Sequence, residues 1–319
     1  MKKMYLLMSV LLLVGVCMPV GQAAEVCPHD SWKDGVCVEC GAEPTSYEEL
    51  LPDKYYKECP RQGTVEEYEY TPPIYYREGG RFRYQRNILI YVPYGCGKDE
   101  DIKYNVMVLL PGNDSAPRLW LTYPSDPKML DVNGKMIIDN LIYYGDIEPT
   151  IFIALPTPDG FTDRWAIQYT NELQRDVLPM ICEKYPTYAE DATLEGIQAA
   201  RDHFGIGGCS NGGIYAYAIG LLYCKELFGN VMSLSAFCVP RNVVEEVAKG
   251  DTDNAVHMLY IGSGSREGNT KKCKAQYEQL LGVCSWLEDG RNAFYRTSIG
   301  PHNWRVWRTQ MAMAMQLMF

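Results

Sequence analysis

The sequence predicts an α/β fold, a mostly parallel central sheet with helices on both faces. Three observations carry that prediction. Short apolar runs alternate with amphipathic stretches along most of the chain, the pattern of strands joined by helical crossovers. The run HFGIGGCSNGG, residues 203–213, passes from strand-like residues through packed glycines directly into a helical stretch. The chain has 319 residues, of which 47% are hydrophobic and 22% charged, which suits one large globular domain with a short appendage.

The elements follow in order. Residues 1–24 begin with Lys2 and Lys3, continue as an apolar run to about Val16 and end in small residues, which predicts a secretory signal cleaved after Ala23 or Ala24. Cys17 is not expected to carry a lipid, because Val16 stands where a lipoprotein site wants a small residue. No later segment is apolar for long enough to span a membrane, so an exported, extracellular protein is expected. Residues 25–62 form a Cys-rich segment and linker. In it, Cys27, His29, Cys37 and Cys40 have the spacing of a structural zinc site, with disulfides or an unstructured spacer as the alternatives. The twelve cysteines become eleven after processing, an odd number that cannot pair completely within one chain. Residues 41–62, with prolines and charges and no apolar period, read as the linker itself.

The main domain is expected over residues 63–319. NILIYVPYG (87–95), YNVMVLLPGND (104–114) and IFIALPTPDG (151–160) read as strands running into turns. NELQRDVLPMICEKY (171–185) and LEGIQAARD (194–202) have helical periodicity. HFGIGG is a strand, GIYAYAIGLLYCKELF (213–228) a helix and NVMSLSAF (230–237) a strand again. VVEEVAKG (243–250) is a glycine-terminated helix, AVHMLYIGSG (255–264) a strand and KCKAQYEQLLGVCSWLEDG (272–290) a helix. AFYRTSIG (293–300) and NWRVWRTQMAMAMQLM (303–318) are the last strand and the last helix. In such sheets chemistry sits at the carboxyl ends of the strands.

That rule makes Ser210 the candidate nucleophile. Gly208, Cys209, Ser210, Asn211 and Gly212 match G-x-S-x-G between a strand and a helix, where a strained turn exposes the serine and its close-packed neighbours tolerate no side chain. The chain has four histidines. His29 lies in the Cys-rich segment, and His203 and His257 open strands at the end far from Ser210. His302, in the loop after the last strand, is therefore the expected general base. The loop SGSREGNT after the penultimate strand holds one acid, Glu267, the expected third member; Asp251, Asp253, Glu288 and Asp289 are worse placed. The backbone amides of Asn211 and Asn113 are the expected oxyanion donors, with Gly112 giving the backbone room to approach.

Charge narrows the partners. The net charge is −10, and −12 once Lys2 and Lys3 leave with the signal, which argues against nucleic acid or an anionic polymer and leaves neutral polysaccharide open. The 24 tyrosines and six tryptophans are read mainly as core, with exposed rings available to sugars.

Taken together, these stretches resemble the feruloyl and acetylxylan esterases of carbohydrate esterase family one, close to the esterase D type of α/β-hydrolase. The resemblance runs in family order over roughly residues 64–319. It rests on NILIYVPYG, KYNVMVLLPG, DNLIYYGDIEPTIFIALP, EKYPTYA, RDHFGIGGCSNGG, ELFGNVMSLSAF and GPHNWRVWRTQM. It implies an α/β-hydrolase fold and a secreted serine esterase that removes feruloyl or acetyl groups from plant cell-wall polysaccharide such as xylan. It implies no catalytic cofactor, Ser210 as nucleophile, His302 as base and Glu267 as acid. Trp304 and Trp307 then pack the final helix. Three positions depart from the family pattern: Pro111 replaces a histidine before the oxyanion glycine, Asn211 replaces a methionine after the nucleophile, and Glu267 replaces an aspartate. An inactive glycan-binding protein on the same scaffold, and an esterase for other small acyl esters, are the alternative readings. The acyl pocket would be made by the loops at 157–165 and 113–135.

Overall fold

The computed structural model describes residues 32–33, 36–37, 51–77, 82–113, 117–121, 134–158, 160–236, 241–249 and 255–319. A two-residue ladder, β1 (Trp32–Lys33) against β2 (Val36–Cys37), stands in the Cys-rich segment. Cys27, His29 and Cys40 lie outside the described residues, as does the Cys37 side chain.

The main body is an eight-stranded sheet of β3 (Thr64–Tyr70), β4 (Arg86–Val92), β5 (Asn105–Leu110), β6 (Thr150–Ala154), β7 (Phe204–Cys209), β8 (Asn230–Leu234), β9 (Met258–Gly264) and β10 (Ala293–Ser298). Their spatial order is β10-β9-β8-β7-β5-β6-β4-β3, and β4 alone among the eight runs against the rest. The inner strands β5, β6, β7 and β8 are buried at every position. A strand covered on both faces has no solvent side, so these read as continuous apolar runs rather than alternating ones.

The pleat divides the core in two. Ile88, Ile90, Val106, Val108, Ile151, Ile206 and Val231 face a layer formed by α3 (Asp163–Glu172), α4 (Leu178–Lys184), α5 (Leu194–Ala199), α6 (Asn211–Ala218), α7 (Arg241–Lys249) and α8 (Thr270–Val283). Their alternates Leu89, Tyr91, Met107, Leu109, Phe152 and Met232 face α1 (Arg118–Leu121), α2 (Gly134–Tyr143) and α9 (Trp304–Met318). The expected strand–helix alternation is thus present, in the mostly parallel, doubly covered sheet the sequence predicts. Among the described residues no helix is long and apolar enough to cross a membrane.

Residues 51–62 correct the linker reading. Leu51, Tyr55 and Cys59 are 2–3% exposed; Leu51 and Tyr55 join the core cluster that holds α2 and α9, and the Cys59 thiol donates to the Asp139 carbonyl at 3.5 Å. Asp146 accepts from Tyr55 at 2.8 Å and Lys54 at 2.6 Å, Asn140 donates to the Lys57 carbonyl at 2.8 Å, and buried Asp139 accepts from the Gly63 amide at 2.8 Å and from Lys135. The prolines and charges of this stretch hide three apolar anchors spaced four residues apart.

At the far edge a buried carboxylate ties β3 and β4 to α3. Glu172 accepts from Tyr70 (2.7 Å), Gln168 (2.8 Å), Arg86 (3.1 Å) and Tyr84. Among the described residues seven cysteines stand outside disulfides, with Cys59, Cys209, Cys224, Cys273 and Cys284 buried and Cys96 and Cys182 half-buried.

Candidate active site

Ser210 occupies the turn between β7 and α6 with φ 53° and ψ −124°, in the left-handed region that a side chain rarely visits. The turn is forced by what surrounds it. A Cβ on Gly208 would collide with the Gly212 carbonyl, and one on Gly212 with the carbonyls of Leu110 and Pro111. The Ser210 amide donates to the Leu234 carbonyl at 2.8 Å, which fastens the turn to the neighbouring strand. On the other side, a Cβ on Gly112 would stand 3.1 Å from the Ser210 Cβ, so glycine there lets the loop after β5 press against the serine.

The base and the acid arrive from the two strands beyond β8, His302 after β10 and Glu267 after β9. The amides of Ser265 and Arg266, just past β9, donate to the carbonyls of Ser298 (2.8 Å), the last residue of β10, and Gly300 (2.9 Å) beyond it, so the two strand ends are laced together. His302 Nε2 lies 2.9 Å from Ser210 Oγ and its Nδ1 lies 2.6 Å from Glu267 Oε2. A carboxylate can only accept, which assigns the ring proton to Nδ1 and leaves Nε2 free to accept from the serine hydroxyl. The imidazole meets the Trp307 ring edge-on at 4.9 Å, and Asn303 caps α9 by accepting from the Val306 amide at 3.2 Å.

Glu267 is 8% exposed. Burial pushes its carboxyl up, but hydrogen bonds from His302, Ser235 and the Gly264 amide outweigh this and hold it below the ordinary carboxylate value. The negative charge that would orient and stabilise an imidazolium is thus kept.

The two expected oxyanion residues are both at the site. Asn211 opens α6, where amides and helix dipole favour an anion, and its side chain turns away to donate to the Pro158 carbonyl at 2.6 Å. Asn113 accepts from the Gly160 amide through Oδ1 at 3.3 Å. The two side chains therefore hold one loop, which Tyr215 also grips through the Thr162 amide (3.1 Å) and the Gly160 carbonyl (2.9 Å).

The remaining described histidines are structural. His203 stacks on Tyr188 with Nδ1 2.8 Å from Asn105 Oδ1, and His257 pairs with Asp202 at 2.7 Å. Among the described residues no three His, Cys, Asp or Glu side chains are grouped to hold a metal ion. A cavity of about 570 Å³ opens beside Tyr84, Arg86, Pro117, Pro156 and Trp165, along the rim over β6 and β4. Sequence reasoning missed Ser235, which joins Glu267 to Trp307; no motif marks it, and only the neighbouring of β8 and β9 brings it there.

No family model matches the chain. Solved structures superimpose over most of it. A mutant feruloyl esterase module from Clostridium thermocellum, complexed with sinapinate, is 23% identical with TM-score 0.68, covering 84% of this chain and 92% of its own. A ferulic acid esterase from Anaeromyces mucronatus, in complex with ferulic acid, is 17% identical with TM-score 0.63, covering 84% and 96%. The fold is that of the feruloyl esterases. In sequence, endo-1,4-beta-xylanase Y of Acetivibrio thermocellus is 30% identical over 184 residues, which are 58% of this chain but 15% of that protein's length. The esterase fold places Ser210, His302 and Glu267 on the loops after β7, β10 and β9, at the carboxyl edge of the sheet.

Proposed function

We propose that this chain is a secreted serine esterase that hydrolyses ester-linked acyl groups, feruloyl or acetyl, on plant cell-wall polysaccharide such as xylan. The observation that carries the reading is the unbroken line Ser210 Oγ, His302 and Glu267, at 2.9 and 2.6 Å, in a feruloyl esterase fold. The bound sinapinate and ferulic acid of the similar structures favour an aromatic acyl group.

In the mechanism, His302 Nε2 takes the proton of Ser210 as its oxygen attacks the ester carbonyl. The developing oxyanion is met by the amides of Asn211 and Asn113. The tetrahedral adduct collapses as His302 passes its proton to the leaving sugar oxygen, forming the acyl-enzyme. Water, deprotonated by the same nitrogen, attacks next and releases the acid and the free serine. Glu267 stays ionised throughout and pairs with each transient imidazolium. Each step uses a group of this chain, and none calls for a cofactor.

Ser210→Ala tests the reading. Turnover of aryl acetates and methyl ferulate should fall by about four to six orders of magnitude, and a fluorophosphonate probe should no longer label the protein. Near-full activity in that variant would overturn it.

A further inference from the structure

Ser235 follows β8 with φ 53°, a second non-glycine residue in the left-handed region, and is 1% exposed. A conformation that costs of order 1 kcal/mol persists only where the surroundings determine it. The surroundings here are specific. The Ser235 amide donates to the Gly262 carbonyl at 2.7 Å, fixing the residue between the strand that leads to Ser210 and the one that leads to Glu267. Its Oγ lies 2.7 Å from Glu267 Oε1 and 3.0 Å from Trp307 Nε1.

The direction of these bonds follows from chemistry. An indole N–H can only donate and a carboxylate can only accept. Trp307 therefore donates to the Ser235 oxygen, and the Ser235 proton has one destination, Glu267. Oε1 of Glu267 takes the Ser235 hydroxyl and the Gly264 amide, leaving Oε2 to His302. A glutamate has one more rotatable bond than an aspartate, so its carboxylate needs a second anchor to stay in the imidazole plane.

We propose that Ser235 is a positioning residue of the reaction, locking the Glu267 carboxylate so that its second oxygen holds His302 against Ser210. The inference rests on the esterase reading above. Ser235 touches no substrate and acts through Glu267.

The test is a pair of variants, Ser235→Ala and Ser235→Gly, assayed on an aryl acetate per unit of folded protein. Both remove the hydroxyl; the glycine also relieves the positive φ and so separates the loss of the bond from backbone strain. In both, kcat should fall about ten- to a hundredfold, the value of a hydrogen bond to a charged group. KM should stay within about twofold, and fluorophosphonate labelling should slow in step with kcat. The proton magnetic resonance of His302 Nδ1–H should move upfield from its wild-type position. Unchanged kcat, or a loss carried by KM or by the folded fraction alone, overturns the role of Ser235. A wild-type protein that neither turns over esters nor labels overturns the esterase reading instead, and the His302 resonance then still decides whether Ser235 holds Glu267.

Discussion

Shortening or neutralising Glu267 separates its two contributions, reach and charge. Glu267→Asp withdraws the carboxylate by one C–C bond, about 1.5 Å. The 2.6 Å contact with His302 Nδ1 would then open to about 4 Å, beyond hydrogen-bond range. The 2.7 Å bond from Ser235 is lost by the same movement, while the negative charge remains nearby. Losing one charge-assisted hydrogen bond is worth about 1.5–3 kcal/mol, so kcat/KM for an aryl acetate should drop about ten- to a hundredfold. Glu267→Gln keeps the reach and removes the charge; its amide group can turn a donor toward Nδ1 and favour the wrong tautomer, so the loss should approach about 10⁴, as in the acid-to-amide change of a serine protease triad. The assay is steady-state hydrolysis at neutral pH, with the melting temperature recorded in parallel. An aspartate variant within about threefold of wild type would refute the reasoning, since a carboxylate about 4 Å away cannot orient the ring.

The remaining predictions concern pH, the turn and the buried ion pair. Because the folded Glu267 carboxyl sits below its ordinary value of 4.5, its stabilisation is complete above that value and is lost as pH falls through the lower folded one. The stability difference between wild type and Glu267→Gln should therefore shrink on acidification below 4.5, measured by urea unfolding at a series of pH values. Gly212→Ala places a Cβ against the carbonyls of Leu110 and Pro111 and should cost about 1–3 kcal/mol or prevent folding, read from the melt and the soluble yield. Glu172→Ala leaves the Arg86 guanidinium buried without its carboxylate and should cost about 3–5 kcal/mol, with Arg86→Met in the same chain restoring much of the loss.

Much of the architecture was legible because its signals are local. The glycines around Ser210 have a steric cause that a sequence displays directly, and four histidines in known places along the strands left one at the correct edge. Glu267 was readable because its loop holds a single acid. What was hidden depends on adjacency across the sheet. β3, TVEEYEY, is an edge strand whose exposed glutamates mask its alternation. Leu51, Tyr55 and Cys59 look like linker until Asp139 and Asn140 of α2, and Asp146 in the turn after it, satisfy the polar groups of this stretch. Asn211, which departs from the family methionine, gains its partner only when the loop after β6 brings the Pro158 carbonyl within reach.

The free thiols set a condition on how this chain reaches its fold. Burial raises the Cys59 and Cys209 thiols, and pushes that of Cys284 up to about 11, so in the native state they stay protonated and poorly nucleophilic. An unfolded chain has no such shelter, and its cysteines revert to ordinary acidity in contact with any oxidant. Compaction and oxidation are then competing rates. The core must then close before mispairing of the buried thiols begins, and recovery from denaturant should depend on keeping reductant present until it has.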